Sequence, residues 1–234
     1  MCRKEFMTTS SAERNMLCTL FALTAVTGMV DAVSFLALGH VFTANMTGNV
    51  VFLGFAAAGA PGTSAPRSIV ALVVFLIGAG IGGRMAAGVS AESRRRWIRF
   101  AFGAEVVLLL AATLMSIGQS GLFPDSLHAY LIIGLTALAM GVRNATIRKL
   151  TIPDMTTTVL TLTLTGLAED SSFAGGANPR WKRRVASTVI MFAGAAVGAL
   201  LLRNSMALAL GVATIIALGA AVFVDRTSAA GAVS

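Results

Sequence analysis

The chain has 234 residues, of which 56% are hydrophobic and only 12% are charged, and its formal net charge is +8. Soluble domains carry about 25% charged residues, so this composition excludes an ordinary soluble protein. The basic residues stand in short flanks of apolar runs, where they set the orientation of membrane helices. We therefore expect no nucleic acid as a partner.

Six long apolar runs predict six membrane-crossing helices, because each has close to the roughly 20 residues that such a helix needs. They extend over Met16 to Leu38, Ile69 to Val89, Phe100 to Ile117, Leu127 to Ile147, Val185 to Leu202 and Met206 to Val224. We expect an all-α polytopic helix bundle surrounded by the lipid bilayer. The sequence contains no HExxH, P-loop or GxSxG motif, so an enzyme has no visible catalytic set.

A polar segment, FTANMTGNVVFLGFA, follows the first apolar run and begins at Phe42. It places Thr43, Asn45, Thr47 and Asn49 within seven residues, although its surroundings are apolar. Hydrocarbon cannot hydrogen-bond an amide or a hydroxyl group, so such a cluster is costly unless protein or water surrounds it. The segment is therefore the first candidate for a functional site.

The segment has a weaker copy in the second half of the chain. GMVDAVSFLALGHVFTANMTGNV from Gly28 aligns without gaps with GVRNATIRKLTIPDMTTTVLTLT from Gly141, and this alignment places Asp31 on Asn144. The later helices follow in the same order. The sequence thus predicts a cytoplasmic tail at 1–14, membrane repeats at 15–118 and 119–224, and a second tail at 225–234.

Arg and Lys residues in the flanks decide the predicted topology, because cytoplasmic loops are enriched in them. If all eight segments cross the membrane, these residues divide almost evenly between the two sides. If each polar segment instead leaves the membrane on the side from which it entered, only Arg67 and Arg203 of the flanking residues face outside. We therefore predict six crossing helices, two polar re-entrant or half-helix segments and cytoplasmic termini. An odd number of crossings per half makes the halves inverted repeats, as in many transporters.

The polar segments supply the predicted solute pathway. On a helix, Asn45, Gly48, Asn49 and Phe52 share one face through their three- and four-residue spacing. We expect this face to meet its counterpart from the second half near the midplane of the membrane. The predicted lining residues are Asn45, Thr47, Gly48, Asn49, Thr158 and Thr161. The alternative is that these groups bond neighbouring helices together.

Four charged residues lie within the predicted crossing helices. Arg84 and Glu105 stand at similar depths on neighbouring helices, so we expect an ion pair between them, which Arg143 could join. Asp31 has no opposite charge predicted at its depth. Proton coupling, cation binding or gating is its predicted role, with Asn144 as its counterpart; the alternative is a packing hydrogen bond.

Glycine spacing predicts close packing of two helices. GAGIGG from Gly78 fits a dinucleotide-binding fingerprint, but it follows no strand and lies inside an apolar helix. Gly78 and Gly82 instead have GxxxG spacing, which Gly194 and Gly198 repeat in the corresponding helix. Cys2 and Cys18 form no ligand set, so we expect no cofactor and no metal ion.

VDAVSFLALGHVFTANMTGNVVFLG, together with GVRNATIRKLTIPDMTTTVLTLTLTGLAED, resembles the YoaK-like family of bacterial membrane proteins, a domain of unknown function. The resemblance implies several membrane helices and a bacterial inner membrane, without an established substrate. We expect a transporter or channel-like protein for an unidentified small solute. A membrane enzyme acting on a lipid-like substrate and a structural membrane subunit are the alternatives, and homo-oligomerisation is left open.

Overall fold

A computed structural model of the chain describes residues 11–87, 93–118, 126–150 and 160–230. Within these ranges the chain forms eight α-helices and a short 3-10 helix at Ser172–Ala174. The helices are α1 (Ser11–Ala37), α2 (Met46–Ala57), α3 (Ala65–Ala86), α4 (Arg94–Met115), α5 (Leu127–Leu150), α6 (Leu160–Glu169), α7 (Trp181–Leu202) and α8 (Met206–Ala230). The predicted all-α polytopic bundle is confirmed.

Six of these helices are long and apolar enough to cross a bilayer, and they are α1, α3, α4, α5, α7 and α8. The other two correspond to the polar segments. α2 has 12 residues and α6 has 10 described residues, so they measure about 18 and 15 Å at 1.5 Å per residue. A hydrocarbon core of about 30 Å is longer than either helix.

The direction of α3 places both ends of α2 at the same end of the bundle. Gly39, just after α1, lies so close to the first turn of α3 that an added Cβ would collide with the guanidinium group of Arg67. Leu38 belongs to the same buried cluster as Ala71, whereas Met85, near the end of α3, packs against the cluster of the N-terminal half of α1. α1 and α3 are therefore antiparallel, and the connection between them does not cross the bundle.

α6 occupies the corresponding place at the opposite end of the bundle. Leu150, the last residue of α5, packs in the cluster that contains the N-terminal half of α1, while Leu202, the last residue of α7, packs with the C-terminal end of α1. Arg184, in the first turn of α7, donates hydrogen bonds to the backbone oxygen of Gly166 and to Asp170 Oδ2, the latter at 2.7 Å. These bonds hold the end of α6 against the start of α7.

The tightest helix contacts join the two halves of the chain. α1 packs against α7, and α3 packs against α5. A Cβ on Gly28 of α1 would lie 2.7 Å from the backbone nitrogen of Ala195, and a Cβ on Gly141 of α5 would lie 2.9 Å from that of Ala79. Neither glycine can gain a side chain without moving a backbone.

The GxxxG glycines form the other side of the same contacts. A Cβ on Gly194 would collide with the backbone of Ala25 in α1, and one on Gly78 would meet the backbone oxygen of Leu138 in α5 at 2.5 Å. A Cβ on Gly198 would lie 2.8 Å from the backbone of Met29 in α1, and one on Gly82 would lie 2.8 Å from the backbone of Val142 in α5. The predicted close packing is confirmed, and its partners are helices far apart in the sequence.

Candidate functional site

Arg143 is the largest fully buried side chain of the described part of the bundle, and it connects three helices. Its Nη1 donates to the backbone oxygen of Leu23 in α1 at 3.1 Å and to Glu105 Oε1 in α4 at 2.9 Å. Its Nη2 donates to Thr27 Oγ1 in α1 at 2.6 Å and contacts Met140 Sδ at 2.8 Å. A guanidinium group thus ties α5 to α1 and α4 in the interior of the bundle.

Glu105 is also completely buried, halfway along α4. Its Oε1 makes the ion pair with Arg143, while its Oε2 has no hydrogen-bond partner among the described residues. Arg143 Nε is also buried without a hydrogen-bond partner among the described residues. Ionisable groups inside membrane spans are costly and mark functional sites by default, so this pair is the centre of the candidate site.

The expectation that Arg84 pairs with Glu105 is wrong. Arg84 is exposed in the last turn of α3, and Glu105 is paired with Arg143 instead. α3 and α4 follow each other in the sequence, but α4 packs mainly against α5 and α8, and α3 packs mainly against α5. Similar depth on consecutive helices therefore did not bring these two side chains together.

Asp31 lies on α1 one turn beyond Thr27 and holds the chain that leads into α2. Its Oδ1 accepts a hydrogen bond from the backbone amide of Ala44 at 2.9 Å, and the amides of Thr43 and Asn45 also interact with the carboxyl group. After α1 the chain thus turns back to the level of Asp31 before α2 begins. A carboxylate at a helix N-terminus is stabilised by the unpaired amides and the helix dipole.

Asp31 is also electrostatically attracted to Arg143. Arg143 therefore acts on two carboxylates: it forms a salt bridge with Glu105 on α4, and it acts on Asp31 on α1 through charge without a salt bridge. Of the described charged residues, these three act on one another in the interior of the bundle. The sequence analysis singled out each of them, but it did not predict that they form one group.

Asn49 uses its side chain to clamp the backbone of Phe42. Its Oδ1 accepts from the Phe42 amide at 2.9 Å, and its Nδ2 donates to the Phe42 oxygen at 2.6 Å. Gly48 leaves the space that the Phe42 ring occupies, since a Cβ there would lie 2.6 Å from a ring carbon. Phe42 also stacks on Phe52. The predicted face of α2 therefore exists, and its contact is the returning chain before the helix.

The remaining predicted lining residues lie at the starts of the short helices. Asn45 and Thr47 are exposed at the start of α2, and Thr161 is exposed at the start of α6. Thr158 lies outside the described residues. α2 packs against α3 and α6 against α7, and these described helices do not contact each other. The expected meeting of two polar faces does not occur in this structure.

Asn144 follows Arg143 on α5 and is half-buried, at the position that the repeat aligns with Asp31. Thr27 and the Leu23 backbone oxygen are site components that the sequence analysis missed. The available signal was Arg143 itself, which lies about two turns before the end of α5. An arginine at that depth requires partners on neighbouring helices.

The described residues contain no group of three His, Cys, Asp or Glu side chains that could hold a metal ion. The described groups of the site act on one another through charge and hydrogen bonding. One guanidinium group acts on two carboxylates there, and its hydrogen bonds connect α5 to α1 and α4.

The fold and this buried charge group define a polytopic membrane protein with a short helix at each end of the bundle. Residues 19–223 match the family described as "Protein of unknown function (DUF1275)", and the chain belongs to this family. It is 35% identical over 167 residues to the "UPF0700 transmembrane protein YoaK" of Bacillus subtilis (strain 168), covering 70% of each chain. The predicted family is thereby confirmed. No solved structure matches the chain.

Proposed function

We propose that this protein is a transporter or channel-like protein for an unidentified small solute, located in the bacterial inner membrane with both termini in the cytoplasm. The observation that carries the proposal is the buried group of Arg143, Glu105 and Asp31 at the meeting of α1, α4 and α5. A bundle held together only for stability gains little from such a group, because buried ion pairs roughly balance their desolvation cost.

The proposed architecture is a pair of inverted repeats, 15–118 and 119–224. Equivalent glycines support it: Gly28 meets the backbone of α7 as Gly141 meets the backbone of α3. The two short helices support it as well, because α2 starts and ends at one end of the bundle and α6 lies at the other. Transporters of this architecture bind solutes near the midplane, at the interface between the repeats.

Three groups of residues have different proposed roles. Asn45, Thr47 and Thr161 carry exposed polar side chains at the starts of the short helices, and we assign them to the solute path with Thr158. Asn49 and Gly48 fix the shape of the chain before α2. Asp31 is the proposed coupling or gating group, and Asn144 is its counterpart at the aligned position of the second repeat.

The test is solute flux in proteoliposomes that contain the purified protein. A panel of small neutral solutes, ions and amino acids is measured against protein-free vesicles, followed by Arg143→Lys and Glu105→Gln for any solute that moves. Arg84→Gln is the matched control, since it removes an exposed arginine from the same bundle. Flux that requires Arg143 and survives Arg84→Gln supports the proposal. Absence of flux for the whole panel, with turnover of a lipid substrate in detergent, would overturn it.

A further inference from the structure

The charges inside the bundle do not balance. Arg143 is the charged group that acts on Glu105 from α5, and Asp31 acts on Arg143 from α1. The hydrophobic cluster that contains Phe102 and Leu109 of α4 receives the apolar residues Ala213 and Ala217 from α8. Two ionised carboxylates and one guanidinium group would leave a net negative charge among these described side chains. A net charge in the interior of a membrane protein is costly.

The two carboxylates differ in the groups that surround them. The carboxyl group of Asp31 faces backbone amides, which are hydrogen-bond donors and match an ionised carboxylate. Glu105 has only one of its oxygens matched: Oε1 accepts from Arg143, whereas the fully buried Oε2 meets no donor among the described residues. Ionisation of Glu105 thus leaves an uncompensated charged oxygen in the bundle, and ionisation of Asp31 does not.

We propose that Glu105 is a proton-binding site and that, in the conformation described here, its Oε2 carries the proton. The proton comes from water, so a carboxylate and a proton give a neutral carboxylic acid and no other reactant is consumed. The protonated group leaves Arg143 and Asp31 as a balanced pair. Glu105 therefore takes the proton-binding role that the sequence analysis predicted for Asp31. The carboxylate of Asp31 is instead bonded to the backbone before α2.

Arg143 links this proton to the packing of the bundle. Its bonds to Leu23 and Thr27 join α5 to α1, and its bond to Glu105 joins α5 to α4. Loss of the proton restores a full negative charge beside Arg143, which draws the guanidinium group toward Glu105 and weakens the bonds to α1. Coupling of this step to solute movement rests on the proposed function, whereas protonation of Glu105 does not.

Infrared spectroscopy of the purified protein in nanodiscs tests protonation without any transport assay. A protonated carboxyl group absorbs at a higher frequency than a carboxylate and shifts in heavy water. We expect such a band at neutral pH in the wild type and in Arg84→Gln, and its loss in Glu105→Gln. Its absence from the wild type, or its loss in Asp31→Asn with retention in Glu105→Gln, would overturn the proposal.

Isotope labelling makes the result independent of how the variants fold. In the wild type, carbon-13 in the glutamate side-chain carboxyl groups must shift the band, and the same label in aspartate must leave it unchanged. The opposite pattern overturns the assignment. A bound sodium ion is the competing outcome. It would be identified if the wild type showed no acid band and sodium ions, at constant ionic strength, raised its melting temperature but not that of Glu105→Gln. This result would overturn the proposal of a bound proton.

Discussion

Asp31 and Ala44 connect two elements that are separated in the chain by a reversal of direction: the carboxylate of Asp31 accepts the amide hydrogen of Ala44 at 2.9 Å. This bond fixes the depth to which the chain returns before α2 begins. We expect Asp31→Leu to lower the free energy of unfolding by about 1–3 kcal/mol, because a buried amide loses its acceptor. Asp31→Asn retains an acceptor oxygen and should cost less. Thermal melting in detergent checks this order, and equal melting temperatures for the two variants would contradict it.

The ion pair between Arg143 and Glu105 predicts an asymmetric response to mutation. Arg143→Met removes the cation that balances Asp31 and the donor to the Leu23 oxygen and the Thr27 hydroxyl, which should cost roughly 3–5 kcal/mol of stability. Glu105→Gln replaces a neutral carboxylic acid by a neutral amide whose oxygen can still accept from Arg143, so it should cost much less. The double variant should recover part of the loss, so a double-mutant cycle by unfolding in denaturing detergent checks the coupling. Additive effects would mean that the two side chains do not interact.

The glycine contacts predict opposite effects for two glycines on the same helix. Gly141→Ala must separate α5 from α3, because the added methyl group would meet the α3 backbone, whereas Gly134→Ala faces open space. We expect the first change to lower the melting temperature clearly. The second should leave it unchanged or raise it, since alanine is about 1 kcal/mol better than glycine in a helix. Equal melting temperatures would show that the contact between α3 and α5 tolerates a side chain.

The two asparagines of the polar segment should separate folding from function. Asn49→Ala leaves both backbone groups of Phe42 without their partner and should cost about 1–3 kcal/mol. Asn45→Ala changes an exposed side chain, so we expect unchanged melting and reduced solute flux. The two variants are each other's control in melting and flux assays. A destabilised Asn45→Ala protein would remove Asn45 from the proposed path.

The same-side return of α2 predicts which cysteines an impermeant thiol reagent reaches in intact cells. In a variant without Cys2 and Cys18, Ser93→Cys should be protected until the cells are permeabilised. Ala58→Cys, after α2, should react from outside, as should Asn204→Cys between α7 and α8, which is the matched control. Labelling of Ser93→Cys in intact cells, without permeabilisation, would mean that the segment containing α2 crosses the membrane.

Local composition was sufficient to predict the elements of this fold but not their partners. The six long helices follow from apolar runs, and the close packing follows from Gly78, Gly82, Gly194 and Gly198. The choice of partner depends on which helices become neighbours, and no local pattern contains that information. The error over Arg84 has this origin: depth along a helix can be read from the sequence, whereas the direction in which a side chain faces depends on the whole bundle.

The sequence predicted which residues belong to the candidate site better than it predicted how they are arranged. Asp31, Glu105 and Arg143 were identified because charges in apolar runs are rare. Their grouping around one guanidinium group required α1, α4 and α5 to meet, which depends on long-range packing. Asn49 was chosen for its polarity, yet its amide group is bonded to the Phe42 backbone, and such local bonds cannot be distinguished from solute contacts by residue type alone.

The packing of α1 against α7 also sets the order in which the protein can assemble. A chain leaving the ribosome inserts α1 into the membrane long before α7 has been made, so the surface around Gly28 must remain without its partner while most of the protein is synthesised. Neither half can complete its own packing, because α3 likewise pairs with α5. A protein cut between α4 and α5 should therefore regain its native contacts only when both fragments are made in the same membrane, and a single half should be degraded.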